Sequence, residues 1–166
     1  MFRKKIVFVI LTLLLACEEK TPDVAPLITF EEFSNIPENY PKQGATYEEF
    51  ENFKKKYETR FALEGYLSLP KLFGLANETF GLELRQNKGD SALIVAYFKL
   101  GTGKNQLKTP PDQYKAEDME INSMKGEKIG IDTKVIIHGK RSIVSDGFGK
   151  KIKSCFINVD RVEIVK

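Results

Sequence analysis

One histidine and two cysteines carry all the imidazole and thiol chemistry of this 166-residue chain. His138 stands in Val135-Ile136-Ile137-His138-Gly139-Lys140 and Cys155 in Ser154-Cys155-Phe156-Ile157, both strand-like apolar runs. A single histidine excludes paired-histidine metal sites, and two cysteines offer no thiolate-rich alternative, so no metal is expected. A Cys155–His138 nucleophile pair would need an exposed thiol and a third group to orient the base, and the sequence supplies neither. The plainer expectation is a buried cysteine acting as a small hydrophobe and a structural histidine. Gly101-Thr102-Gly103-Lys104 begins like a phosphate loop, but Phe98 stands where the first glycine belongs and Asn105 where a magnesium-binding Ser or Thr belongs. Glu117 and Asp118 are paired carboxylates in a polar run, with nothing around them to raise an acid pKa. These patterns predict no catalytic residue, no cofactor and a non-enzymatic function.

Charge narrows the partner class. The formal net charge is +3, but Arg3, Lys4 and Lys5 lie in the N-terminal leader, and without them 23 basic side chains face 23 acidic ones. Residues 18–58 hold 10 acids and 5 bases, whereas residues 59–166 hold 13 acids and 18 bases. An acidic lead-in therefore precedes a domain of modest positive excess, which permits an anionic polymer as partner without demanding one.

The first 16 residues run from a basic start through an apolar middle to a small residue, the order of an exported leader. That middle is shorter than the ~20 apolar residues a bilayer span needs. Leu14-Leu15-Ala16-Cys17 resembles the lipobox of bacterial lipoproteins. The resemblance implies cleavage before Cys17, acylation of its thiol and amine with palmitate-type chains, and attachment to a membrane. Glu18 follows instead of the Asp that commonly retains such proteins at an inner membrane, so the resemblance implies the outer membrane of the cell envelope. With Cys17 acylated, Cys155 has no partner and no disulfide is expected.

Residues 17–28 are polar and proline-punctuated and read as a tether. Residues 29–60 read as a helical lead-in. Thr29 and Thr46 each stand three residues before a glutamate, the capping-box spacing, so each should start a helix. Pro37 and Pro41 cut the first short; the second can run to about Arg60. Its Tyr47, Phe50, Phe53 and Tyr57 fall on one face, which should pack on the domain that follows. From Phe61 the period changes to two, with strands expected over 61–69, 80–85, 92–98, 134–143 and 154–165. Gly65 suggests a bend in the first strand, and a phase shift near Asp160 and Arg161 a bulge in the last. The third strand is apolar on both faces and should be covered on both. A long connector over 101–133 contains a small hairpin between Ile121 and Lys128.

This order, a three-strand meander, a long connector and a two-strand hairpin, is the plan of an OB-fold barrel. The fold class is thus mostly β: a five-stranded OB-fold-like barrel over 61–166, preceded by the short helical segment and the lipoprotein signal peptide. Val135-Ile136-Ile137-His138-Gly139-Lys140 and Ile157-Asn158-Val159-Asp160-Arg161-Val162-Glu163-Ile164 resemble the last two strands of tRNA-anticodon-like OB domains in small bacterial lipoproteins. The loop after strand three is similar to lipoproteins of Bacteroidota. The resemblance implies a barrel and no particular reaction.

Two loops are the expected contact sites. Leu72, Phe73 and Leu75 put apolar side chains where a polar loop is expected, and they either plug the barrel end or form a contact patch. The final hairpin tip presents Phe148, Lys150 and Lys151. The expectation is a lipid-anchored envelope protein whose barrel binds a protein or glycan. The second reading is an anionic polymer, either a charged polysaccharide or nucleic acid, and an exported address weighs against nucleic acid.

Overall fold

The computed structural model describes residues 23–41, 44–70, 75–76, 78–90, 93–145 and 152–166. Helix α1 (Phe30–Ser34) and helix α2 (Tyr47–Tyr57) both open on complete capping boxes. In each, the threonine hydroxyl accepts from the amide of the glutamate three residues on, and that carboxylate accepts from the threonine amide. Glu32 and Glu49 are held below the ordinary carboxylate pKa, first by the threonine amide and then by its hydroxyl.

Strands follow as β1 (Arg60–Ser68), β2 (Leu75–Ala76), β3 (Thr79–Arg85), β4 (Leu93–Lys99), β5 (Ile121–Asn122), β6 (Lys128–Ile129), β7 (Lys134–Ser145) and β8 (Ile152–Ile164). Five of them close a ring in the order β1-β7-β8-β4-β3, with β3 returning to β1. All ring pairings are antiparallel except β4 with β8, where Val95 lies opposite Cys155 and Ala96 opposite Phe156. That is the OB-like barrel topology, and each of its five strands lies within a few residues of its expected span. β2 is a two-residue strand inside the segment expected to be a loop, pairing with β3 at Phe80 and Thr79. β5 and β6 form the small hairpin of the connector.

Closure depends on two local devices. β1 pairs with β7 as far as Tyr66 and with β3 from Tyr66 to Ser68, so it changes partner beside Gly65. A Cβ on Gly65 would lie 2.6 Å from the Arg85 carbonyl oxygen, which is why no larger residue fits this crossing. On β8 the register jumps: His138 faces Arg161 while Gly139 faces Val159, leaving Asp160 as the bulged residue. A second jump, between Lys140 and Arg141, passes over Ile157. Bulges of this kind add twist and let a short sheet curl.

Leu63, Leu67, Phe80, Leu82, Leu84, Ile94, Ala96, Phe98, Val135, Ile137, Phe156 and Val162 fill the core. Phe33 of α1 joins them, fully buried with its ring centroid 4.4 Å from that of Phe156. Leu107, Met119, Ile121 and Ile129 bring the connector into the same core.

Three expectations are corrected. The tether does not run to residue 28: Ala62 donates to the Pro26 carbonyl at 2.8 Å, Ile28 donates to the Ala62 carbonyl at 3.0 Å, and Ala25 is buried. Unused hydrogen-bonding groups on the edge of β1 capture these residues as a strap. The aromatic face of α2 packs only in part. Tyr57 is buried, whereas Tyr47 is 80 % and Phe50 41 % exposed. Phe53 stacks on Tyr57, and Tyr40 meets Phe50 and Phe53 edge-on, so part of the stripe packs on its own helix and on the preceding loop. Finally, β4 is fully covered on one face only. Ile94, Ala96 and Phe98 are buried, but Val95 and Tyr97 are half-buried, leaning across Gly81, which has no side chain to cover them.

Candidate functional site: the outer walls of the barrel

On β1, β3, β4 and β7 core residues occupy one phase of the strand, and the opposite phase faces outward. On β1 and β7, Leu63 and Ile137 lie in the core, while Ala62 and His138, partners in register, stand outside beneath the strap. The strap crosses this wall through a chain of polar contacts. The Ala25 amide donates to His138 Nδ1 at 3.2 Å. Arg60 grips Asp160 with two bonds, Nε to Oδ2 at 2.8 Å and Nη2 to Oδ1 at 2.7 Å, and its Nη1 donates to the Asp23 carbonyl. The bulge gives Asp160 this role, since a residue in register would project with the ladder instead.

Acceptance at Nδ1 places the proton of neutral His138 on Nε2, which faces Glu163 Oε1 at 3.2 Å. Arg161 holds the same carboxylate at 2.8 Å. Burial is the largest influence on His138 and pushes its pKa down, against an upward pull from Glu163. Glu163 is itself held low, chiefly by the Arg161 hydrogen bond.

Cys155 lies on β8 facing Ser142 across the ladder, four residues along β7 from His138. Four residues of strand separate the two by roughly 13 Å, so they form no reacting pair. Cys155 is 1 % exposed, and burial pushes its thiol pKa up to about 12. Next to it, Glu58 takes the Ser142 hydroxyl and the Lys140 ammonium, the latter at 2.9 Å, and the Tyr57 and Ser154 hydroxyls bond at 2.7 Å. These bonds fasten the end of α2 to β7 and β8. Arg141 lies over the Tyr57 and Phe61 rings at 4.0 and 4.6 Å from their centroids.

The glycine-rich loop after β4 has no phosphate cradle available at Gly103, whose amide donates to Gln106 Oε1 at 2.9 Å. Asn105 adopts a left-handed φ of 59°, which asparagine tolerates better than most residues. Its Oδ1 accepts from the Val162 amide at 3.0 Å and its own amide donates to Asn122 at 2.7 Å, so the loop ties the connector to β8.

Cys17, Leu72, Phe73, Phe148, Lys150 and Lys151 lie outside the described residues, as does the side chain of Leu75. The bases of their loops are placed. β2 borders Thr79, which faces Lys99 at the end of β4. The β7–β8 hairpin opens from Ser145 and Ile152, and Ile152 is three residues before the Cys155 that faces Val95. The two loops thus spring from opposite ends of β4, roughly 20 Å apart along the strand. In the ring, β4 adjoins neither β1 nor β7, so its outer wall is across the barrel from the strap.

Sequence reasoning missed the strap and the Glu58 cluster. Val24, Ala25, Leu27 and Ile28 were a faint sign of the first, four apolar residues within a run read as polar. Nothing in the sequence pairs Glu58 with Ser142, which is 84 positions away.

No protein-family model, no curated protein and no solved structure matches this chain.

Proposed function

We propose that the protein is a lipid-anchored component of the cell envelope, held through acylated Cys17 at the outer membrane, whose non-catalytic barrel binds a protein or glycan partner along the outer wall of β4. The observation that supports this reading is the position of the two loop bases, which flank that wall at both ends. A partner lying along β4 meets the loop with Leu72, Phe73 and Leu75 at one end and the hairpin with Phe148, Lys150 and Lys151 at the other. Tyr97 and Val95, half-exposed between the loop bases, offer a floor of the mixed character that binding surfaces use.

Charge excess over residues 59–166 favours the second reading, an anionic polymer. Against it stands the pairing of many of those bases: Arg60 with Asp160, Arg85 with Glu83, Lys128 with Glu120, Lys134 with Glu64, Lys140 with Glu58 and Arg161 with Glu163. Bases already neutralised locally release fewer counterions on binding a polymer.

Photoreactive residues at Phe73 and Phe148 in intact cells test the site. Capture of one common partner from both positions supports it. Capture only from positions on other walls, such as Lys125 or Lys134, overturns it. Loss of binding with rising salt would select the polymer, whereas an apolar contact responds weakly.

A further inference from the structure

The strap does more than close a gap on β1. It fixes where the chain leaves the barrel, and so which wall a lipid anchor draws toward the bilayer. We infer that the outer wall of β1 and β7, with the strap across it, rests on the lipid surface through Val24 and Leu27. This rests on the reading of Cys17 as the acylated residue.

Only five residues separate Cys17 from Asp23, whose carbonyl accepts from Arg60. Fully extended, that stretch spans at most about 20 Å, less than the reach of the 12-residue tether expected from sequence. Asp23 is itself held by Arg60, and Ala25 by His138, so the leash is short and anchored on one wall. On the strap, Val24 is 69 % and Leu27 57 % exposed. Both are large apolar side chains facing solvent within a few residues of the anchor, while Ala25 between them faces the barrel. On this wall Arg60 pairs with Asp160, Lys134 with Glu64 and Arg161 with Glu163. A wall with paired charges and protruding aliphatic side chains suits the headgroup boundary by burial of apolar area, not by attraction to anionic lipid. The same orientation turns β4 and both loop bases away from the bilayer, where a partner reaches them.

The test uses the full acylated protein in vesicles of phosphatidylethanolamine and phosphatidylglycerol. Cys155 is buried with a raised pKa, so a thiol fluorophore can be directed to Val24→Cys, Leu27→Cys or Lys99→Cys, the last at the exposed end of β4. Nitroxide-labelled lipid headgroups should quench the label at positions 24 and 27 about twofold or more beyond the label at 99, as expected for side chains seated several ångströms into the boundary. Raising the salt should leave that contrast in place. Equal quenching at all three positions, or stronger quenching at 99, in protein that floats with the vesicles overturns the orientation and leaves the anchor intact. Protein that carries no acyl chain and does not float overturns the anchor and the orientation together.

Discussion

The backbone amide of Ala25 and the imidazole of His138, 113 positions apart, meet at 3.2 Å in a buried hydrogen bond. It joins the strap over residues 23–28 to the barrel wall. The bond requires a bare Nδ1, so it exists only while His138 is neutral.

Acid should therefore loosen the strap. Burial lowers the folded pKa of His138 below its ordinary value of about 6.5, so the unfolded chain binds the proton more readily. Stability is fully present above that value and is lost as pH falls through the folded pKa. Urea midpoints should drop between neutral and mildly acidic pH. His138→Gln should flatten this dependence, and a wild-type profile unchanged across the range would contradict the assignment.

Arg60 and Asp160 form a partly buried two-bond pair, with side chains 29 % and 26 % exposed. Either alanine variant should cost about 1 kcal/mol, and a double-mutant cycle should show most of that loss as coupling. Amide exchange at Ala25 and Ile28 should quicken in Arg60→Ala because the strap loses its contact at Asp23. Additive single losses would show the pair contributes nothing jointly.

Gly65→Ala should destabilise the fold by about 2–4 kcal/mol, since its Cβ would meet the Arg85 carbonyl at 2.6 Å and Leu84 at 3.0 Å. Denaturant unfolding measures this. By comparison, Gly126→Ala meets nothing within 4 Å and carries only the strain of its φ of +79°.

Cys155 should resist a thiol reagent at pH 8 in the native protein and react in denaturant, because burial holds its pKa near 12. Cys155→Ser should then change stability and leave partner binding as it was. Rapid native labelling would show that the β4–β8 wall opens.

Much of this architecture was legible along the chain. Period-two alternation marked β1 and β3, a run apolar on both faces marked β4, the Thr-to-Glu spacing marked both helix starts, and the phase slip near Asp160 marked the bulge. These signals are local: a capping box closes within four residues, and alternation reports which face of a strand meets the core. The aromatic stripe on α2 misled for the same reason. Spacing shows that Tyr47 and Phe50 share a face, but whether a wall stands opposite depends on where the helix lands.

The sequence by itself determined the order of the five barrel strands, the inward phase of those that alternate and the absence of a second histidine for metal chemistry. Tertiary structure alone decided that residues 23–28 bind the edge of β1, that Asp160 turns to Arg60, and that the bases of the two loops lie at opposite ends of β4. Contacts such as Ala25 with His138 join groups more than a hundred residues apart. No local pattern encodes them, because they arise only when ring closure brings an unpaired strand edge and an outward imidazole to the same wall.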